Sequence, residues 1–148
     1  MVKIIAEIDK LDHEILKLLQ EDGRLTFVEI AKKLKLSEST IRKRVQALRE
    51  KGIIKRFTVE IEPAKIGLNT VAIVGIDVDP SKLLEAAQKL CEFKEIRSVA
   101  TSTGDHMIMT EIWAKDGREL TRLISEKIEP IEGVKKICPA IILEKLKD

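Results

Sequence analysis

The sequence predicts an α+β chain of two small domains, a helix-turn-helix of winged type followed by a ferredoxin-like βαββαβ unit. Three observations predict it. Apolar residues recur at helical spacing as far as Gly52, whereas β-branched runs and alternation take over afterwards. The two halves differ in charge: residues 32–56 hold ten cations against two anions, a net of +8, while residues 61–148 hold 13 cations and 15 anions. The length, 148 residues, suits one ordinary domain or two small ones.

The first half reads as three helices and a strand. Ile8, Leu11, Ile15 and Leu18 fall at helical spacing, and Asp9 and Asp12 sit where the helix dipole favours acids. Gly23 in "EDGR" is expected as a left-handed cap. "TFVEIAKKL" is a short second helix, capped by Thr26, with Ile30, Ala31 and Leu34 facing inward. Lys35, Leu36 and Ser37 form a tight turn into "SESTIRKRVQALREKG". There Ser37 is the N-cap, Ile41, Val45 and Leu48 form the buried stripe, and Gly52 ends the helix with Ile53 folding back on Leu48. "FTVEI" alternates as a strand does, carrying Lys55 and Arg56 at its start. "EPAKIGLN" is a linker, giving domains at 1–62 and 63–148.

The second half changes period. "TVAIVGIDVD" is a β-branched strand. "DPSKLLEAAQKLCEF" is a helix with Asp79 as N-cap and Pro80 in the first position, where the missing N–H is harmless. "IRSVATST" and "HMIMTEIWA" form a hairpin across a tight Gly104-Asp105 turn. Asp116 and Glu119 have capping-box spacing ahead of "GRELTRLISEKI". "GVKKICPAIILEKL" is the last strand, expected at a sheet edge where Pro139 is tolerated.

Composition narrows the function. The apolar fraction is 44% and the charged fraction 35%, with one Asn and three Gln, a thermophile-like balance. No apolar run approaches the ~18 residues of a membrane span, and "MVKIIAEID" lacks the features of a signal peptide, so a soluble cytoplasmic protein is expected. Cys91 and Cys138 read as buried, reduced thiols. His13 and His106 show no metal-ligand spacing with either, so neither zinc nor any other cofactor is expected. There is no Gly-rich phosphate loop and no nucleophile with a base, which argues against an enzyme. Asp105 and Glu111 read as solvated hairpin acids, His106 as a surface residue, and Met107, Met109 and Trp113 as core or interface packing.

A lone basic amphipathic helix is usually a solvated face. The helix-turn-helix spacing, the focused +8 and the scarcity of acids reverse that reading. Burying Ile41, Val45 and Leu48 turns Ser39, Thr40, Arg42, Lys43 and Gln46 outward or to the rim, toward double-stranded DNA. Lys55 and Arg56 would meet the adjacent backbone. With Phe57 the one aromatic nearby, major-groove binding fits better than single-strand stacking. A DNA-coating protein with little sequence choice is the alternative.

The segments "LD..IL..LQ.DGR" and "LS.ST....R...L...GII", with "TGD" and "IEGV" in the second half, resemble the Lrp/AsnC family of feast/famine transcriptional regulators across nearly the whole chain. The resemblance implies a sequence-specific DNA-binding regulator, a recognition helix from Ser37 to Lys51, and Arg44 as a phosphate contact. It implies homodimers through the ferredoxin-like domain that assemble further, and an amino-acid effector held between dimers. Thr101, Thr103, Gly104, Asp105 and His106 match that effector loop. The family commonly reads Gly-Asp-Tyr-Asp there; this chain has Gly104-Asp105-His106-Met107, with an apolar residue replacing the second acid.

Overall fold

The computed structural model describes residues 7–148; residues 1–6, and with them most of the segment read above as lacking a signal peptide, lie outside the described residues. The chain divides into two compact units, residues 1–60 and 61–148.

The first unit holds α1 (Lys10–Glu21), α2 (Phe27–Leu34) and α3 (Glu38–Glu50). Helices α2 and α3 begin on the caps expected for them, and α1 begins on a capping box of Asp9 and Asp12, where the sequence reading places only acids near the helix start. Asp9 accepts from Asp12 N at 2.9 Å while Asp12 accepts from Asp9 N at 3.1 Å, and Thr26 and Glu29 reciprocate likewise. Ser37 Oγ accepts from Thr40 N at 3.2 Å. Lys35 takes the left-handed conformation (φ 55°) that turns the chain between α2 and α3. Gly52 (φ 71°) closes α3 in a Schellman arrangement, with Ile53 N donating to Leu48 O and Gly52 N to Arg49 O, both at 2.9 Å. Ile15, Ile30, Ala31, Ile41, Val45 and Leu48 form the core.

Two expectations fail in this unit. Gly23 is not left-handed; α1 ends instead on Asp22, whose side chain accepts from Arg24 N at 2.9 Å. Residues 55–62 form neither helix nor strand. Phe57, Val59 and Ile61 alternate as a strand would, yet no strand among the described residues pairs with them, and they stand 49%, 77% and 44% exposed. A strand needs a hydrogen-bonding neighbour as well as a pattern. Lys55 and Arg56 therefore lie on an irregular segment.

The second unit is a four-stranded antiparallel sheet of β1 (Thr70–Val78), β2 (Ile96–Thr101), β3 (Ile108–Ala114) and β4 (Val134–Ile141), in the order β2-β3-β1-β4. With α4 (Leu83–Cys91) and α5 (Gly117–Leu123) this is the βαββαβ order read from the sequence. Ala72, Val74, Ile76 and Val78 of β1, with Ile108, Ile112 and Ala114 of β3, pack under Ala86, Leu90, Leu120, Leu123 and Ile128. The opposite face carries half-buried Val71, Ile73, Asp77, Met109, Glu111 and Trp113. Pro139 lies on the edge strand β4.

Local details depart from expectation here too. Asp79 and Pro80 start a 3-10 turn (Pro80–Lys82) that precedes α4, and α5 widens into a π turn (Ile124–Ile128). Glu119 bonds Lys115 N at 2.6 Å rather than Asp116 N, so the box is not reciprocal. The hairpin joining β2 and β3 is a six-residue loop, 102–107, instead of a tight two-residue turn. Cys91 is exposed and Cys138 half-buried, because Cys91 ends α4 on its outer side and Cys138 lies on the edge strand. Met107 packs toward the core, while Met109 and Trp113 lie on the open face.

Candidate nucleic-acid interface and ligand loop

The outward edge of α3 follows from its buried stripe. With Ile41, Val45 and Leu48 inside, Ser39, Arg42, Lys43 and Gln46 are exposed and Thr40 and Arg44 half-buried. Their engagements differ. Ser37 Oγ, besides capping the helix, lies 2.8 Å from Thr40 Oγ1 and 3.1 Å from Ser39 Oγ. Arg42 pairs with Glu38 one turn earlier and lies 5.6 Å over the Phe27 ring of α2. Gln46 Nε2 donates to Glu50 at 3.1 Å. Lys43 makes no side-chain hydrogen bond or ion pair among the described residues. Lys55 and Arg56 are exposed beside Phe57, whose ring lies 5.7 Å from Arg49.

Arg44 differs from the rest. Its guanidinium pairs with Asp9 and lies 3.4 Å from Asp12, which is 5% exposed. Asp9 is held below the usual carboxylate range, first by the Asp12 backbone N–H and then by Arg44. Arg44 is raised above its ordinary value, chiefly by the hydrogen bond to Asp9. The helix dipole, the capping box and the arginine thus converge on one acidic corner of α1.

In the second unit, Thr101 ends β2, and Thr103, Gly104 and Asp105 form an exposed loop tip. Ser102 N donates to Met107 O at 2.9 Å and Ser102 Oγ to His106 O at 2.5 Å, closing the loop at its neck. His106 is not a free surface residue: its Nδ1 lies 3.2 Å from Asp77 Oδ2, and Met107 N donates to Asp77 Oδ1 at 3.3 Å. The His106 contact is the main reason the Asp77 carboxyl is held below its ordinary range.

A winged helix-turn-helix DNA-binding family model matches residues 8–55, and an Lrp/AsnC ligand-binding-domain model matches residues 71–148. The chain belongs to the Lrp/AsnC family. The transcriptional regulator LrpA of Pyrococcus horikoshii is 56% identical to this Lrp/AsnC chain over 140 residues, spanning 95% of the chain and 99% of the relative. LrpA of Pyrococcus abyssi is 54% identical with the same coverage. Among solved structures, E. coli AsnC superposes with a TM-score of 0.88 at 25% identity, covering 97% of both chains. A Neisseria meningitidis regulator solved with L-methionine shares the fold, at a TM-score of 0.88, 24% identity, and coverage of 96% and 94%.

This Lrp/AsnC member is a sequence-specific DNA-binding transcriptional regulator with a ligand-binding domain. The DNA-binding match holds α3, Lys55 and the whole acidic corner of Asp9, Asp12 and Arg44; Arg56 falls one residue beyond it. The ligand-domain match holds the whole 102–107 loop. Among the described residues no helix is long and apolar enough to cross a membrane. Sequence reading missed Asp77 and Gly75 at the base of the loop. The one available signal was a glycine inside an otherwise β-branched strand, which often marks a close approach.

Proposed function

We propose that this regulator reads duplex DNA with the exposed edge of α3. Ser39, Thr40, Lys43 and Gln46 face the bases, and Arg42 leaves Glu38 to meet a phosphate. The Ser37-capped helix start, Lys55 and Arg56 hold the flanking backbone. Lys43 carries the reading: it is the cation of this edge that meets no acid, opposite a fully buried stripe. Arg44 is better placed to hold α3 on α1 than to bind a phosphate, because two carboxylates already share it.

We propose further that the open sheet face of the second unit pairs with a second copy, since Ile73, Met109 and Trp113 give it an apolar centre beside Glu111 and Asp77. The loop tip at Thr101, Thr103, Gly104, Asp105 and His106 is proposed to meet an amino-acid effector. The support is the ligand-domain match and the methionine held by the neisserial protein. Calorimetric titration with the twenty amino acids tests the loop; a binding signal lost in Asp105→Ala supports it, and silence for all twenty rejects it. Footprinting upstream DNA from the parent genome against random duplex tests the interface, and a preferred protected site is expected.

A further inference from the structure

We propose that Gly75, Asp77 and His106 form a seat that fixes the loop 102–107 against β1, with Asp77 as its positioning residue. A glycine inside a strand has no side chain to pack and weakens it, so its presence in β1 asks for a cause. Conformation is not the cause: Gly75 is absent from the glycines with positive φ. Space is. A Cβ at this position would lie 2.2 Å from Cδ2, 2.4 Å from Cγ and 3.0 Å from Cβ of His106. These are closer than van der Waals contact allows, so the ring occupies the volume that the missing side chain leaves.

Alternate residues of a strand share a face, which puts Asp77 beside the ring on the same side of the sheet. Its two oxygens divide the work. Oδ2 takes the His106 ring at 3.2 Å and Oδ1 accepts from the Met107 backbone at 3.3 Å. Across the register Asp77 faces Lys136 and Gly75 faces Cys138 on β4, and Gly75 faces Met109 on β3. Position 107 is Met, and the carboxylate at the base of the loop comes from the neighbouring strand β1. With the neck closed by Ser102, only the tip Thr103–Asp105 is left without such ties. A ligand meeting the tip then meets a base already ordered, and binding does not have to supply that ordering. This consequence rests on the loop being the ligand site; the seat itself does not.

Amide hydrogen exchange of the full chain without ligand tests the seat. Gly75→Ala should speed exchange in residues 102–107 by about tenfold, the range of a local opening. His106→Ala should do the same. The double variant should exchange little faster than His106→Ala, because the ring atoms at 2.2 and 2.4 Å are then gone and the added methyl meets only the remaining Cβ at 3.0 Å. Asp77→Ala should loosen the loop and Asp77→Asn restore most of its protection, since Asn keeps an acceptor for the Met107 N–H. Additive effects of Gly75→Ala and His106→Ala, or wild-type loop exchange in His106→Ala, would overturn the proposal. Should Gly75→Ala loosen the whole sheet, recovery in the double variant upholds the seat and lack of recovery rejects it. A null amino-acid titration would sink the ligand reading and leave these outcomes untouched.

Discussion

Arg44 on α3 reaches back to Asp12 at the start of α1, with 3.4 Å between Nη1 and Oδ1. Asp12 is 5% exposed and also bonds the Asp9 backbone, so its charge is seated where water cannot freely answer it. A carboxylate in that position needs a cation or a donor nearby. The recognition helix is thereby tied to the first helix by charge as well as by packing.

Arg44→Ala should accordingly lower the urea midpoint of the N-terminal unit, with Asp12→Asn in the same chain restoring part of the loss. DNA affinity should fall in step with the destabilisation. An unchanged midpoint with weakened DNA binding would instead return Arg44 to the role of a direct phosphate contact.

Lys55→Ala, at a proposed backbone contact, should leave stability unchanged and weaken binding to all duplexes alike. The slope of log affinity against log salt should become shallower by about one per protomer. Gln46→Ala should act differently, losing about 1–3 kcal/mol of discrimination at one base position. Electrophoretic or anisotropy titrations at several salt concentrations separate the two, and identical behaviour of the variants would refute the division of roles.

Leu48→Ala removes a fully buried side chain while leaving in place the backbone carbonyl that accepts from Ile53 N in the Schellman turn. A loss of about 2–5 kcal/mol is expected from the cavity alone. Ser37→Ala should cost about 1 kcal/mol through its capping bond. Chemical denaturation of each variant checks both, and the order of the two effects matters more than either value.

Ile73→Glu places a further acid at the centre of the open sheet face, beside Glu111 in the register. Sedimentation should show wild type at least dimeric and the variant shifted to monomer. A wild-type chain that sediments as a monomer at tens of micromolar would contradict the proposed pairing of this face.

Acid should weaken the N-terminal unit. Asp9 and Glu29 are lowered from their ordinary 3.8 and 4.5, each first by a backbone N–H of its capping box. Folded, they bind protons less readily than unfolded. Their contribution is therefore present above those ordinary values and is lost as pH falls through them toward the lower folded ones. Urea midpoints between roughly pH 5 and pH 3 should decline, and less steeply in Glu29→Gln. A pH-independent midpoint in this window would argue that the caps are not formed in solution.

Much of this was legible in the sequence because it is local. Thr26 and Ser37 cap helices through bonds that span three residues, and Ile41, Val45 and Leu48 face inward by period alone. The edge position of the last strand followed from the succession of elements. What could not be read is what joins distant residues. "FTVEI" has a strand's pattern but no strand beside it, and the hairpin kept four more loop residues than a Gly-Asp turn suggests. Arg44 looked like one more cation on a basic helix; its acids lie 35 and 32 residues away.

The sequence by itself determined the helices, their caps, the buried stripe of α3 and the concentration of positive charge around it, since these depend on neighbours within a turn or two of chain. Only the tertiary structure decided which of those charges stay available. Arg42 and Arg44 carry the same group two residues apart, yet Arg42 has an exposed glutamate as partner while Arg44 is held by a buried aspartate from another helix. The same holds for Gly75, whose purpose is set by the ring of His106 across the sheet. Charge and space are properties of what folding brings within a few ångströms, and sequence spacing does not encode that distance.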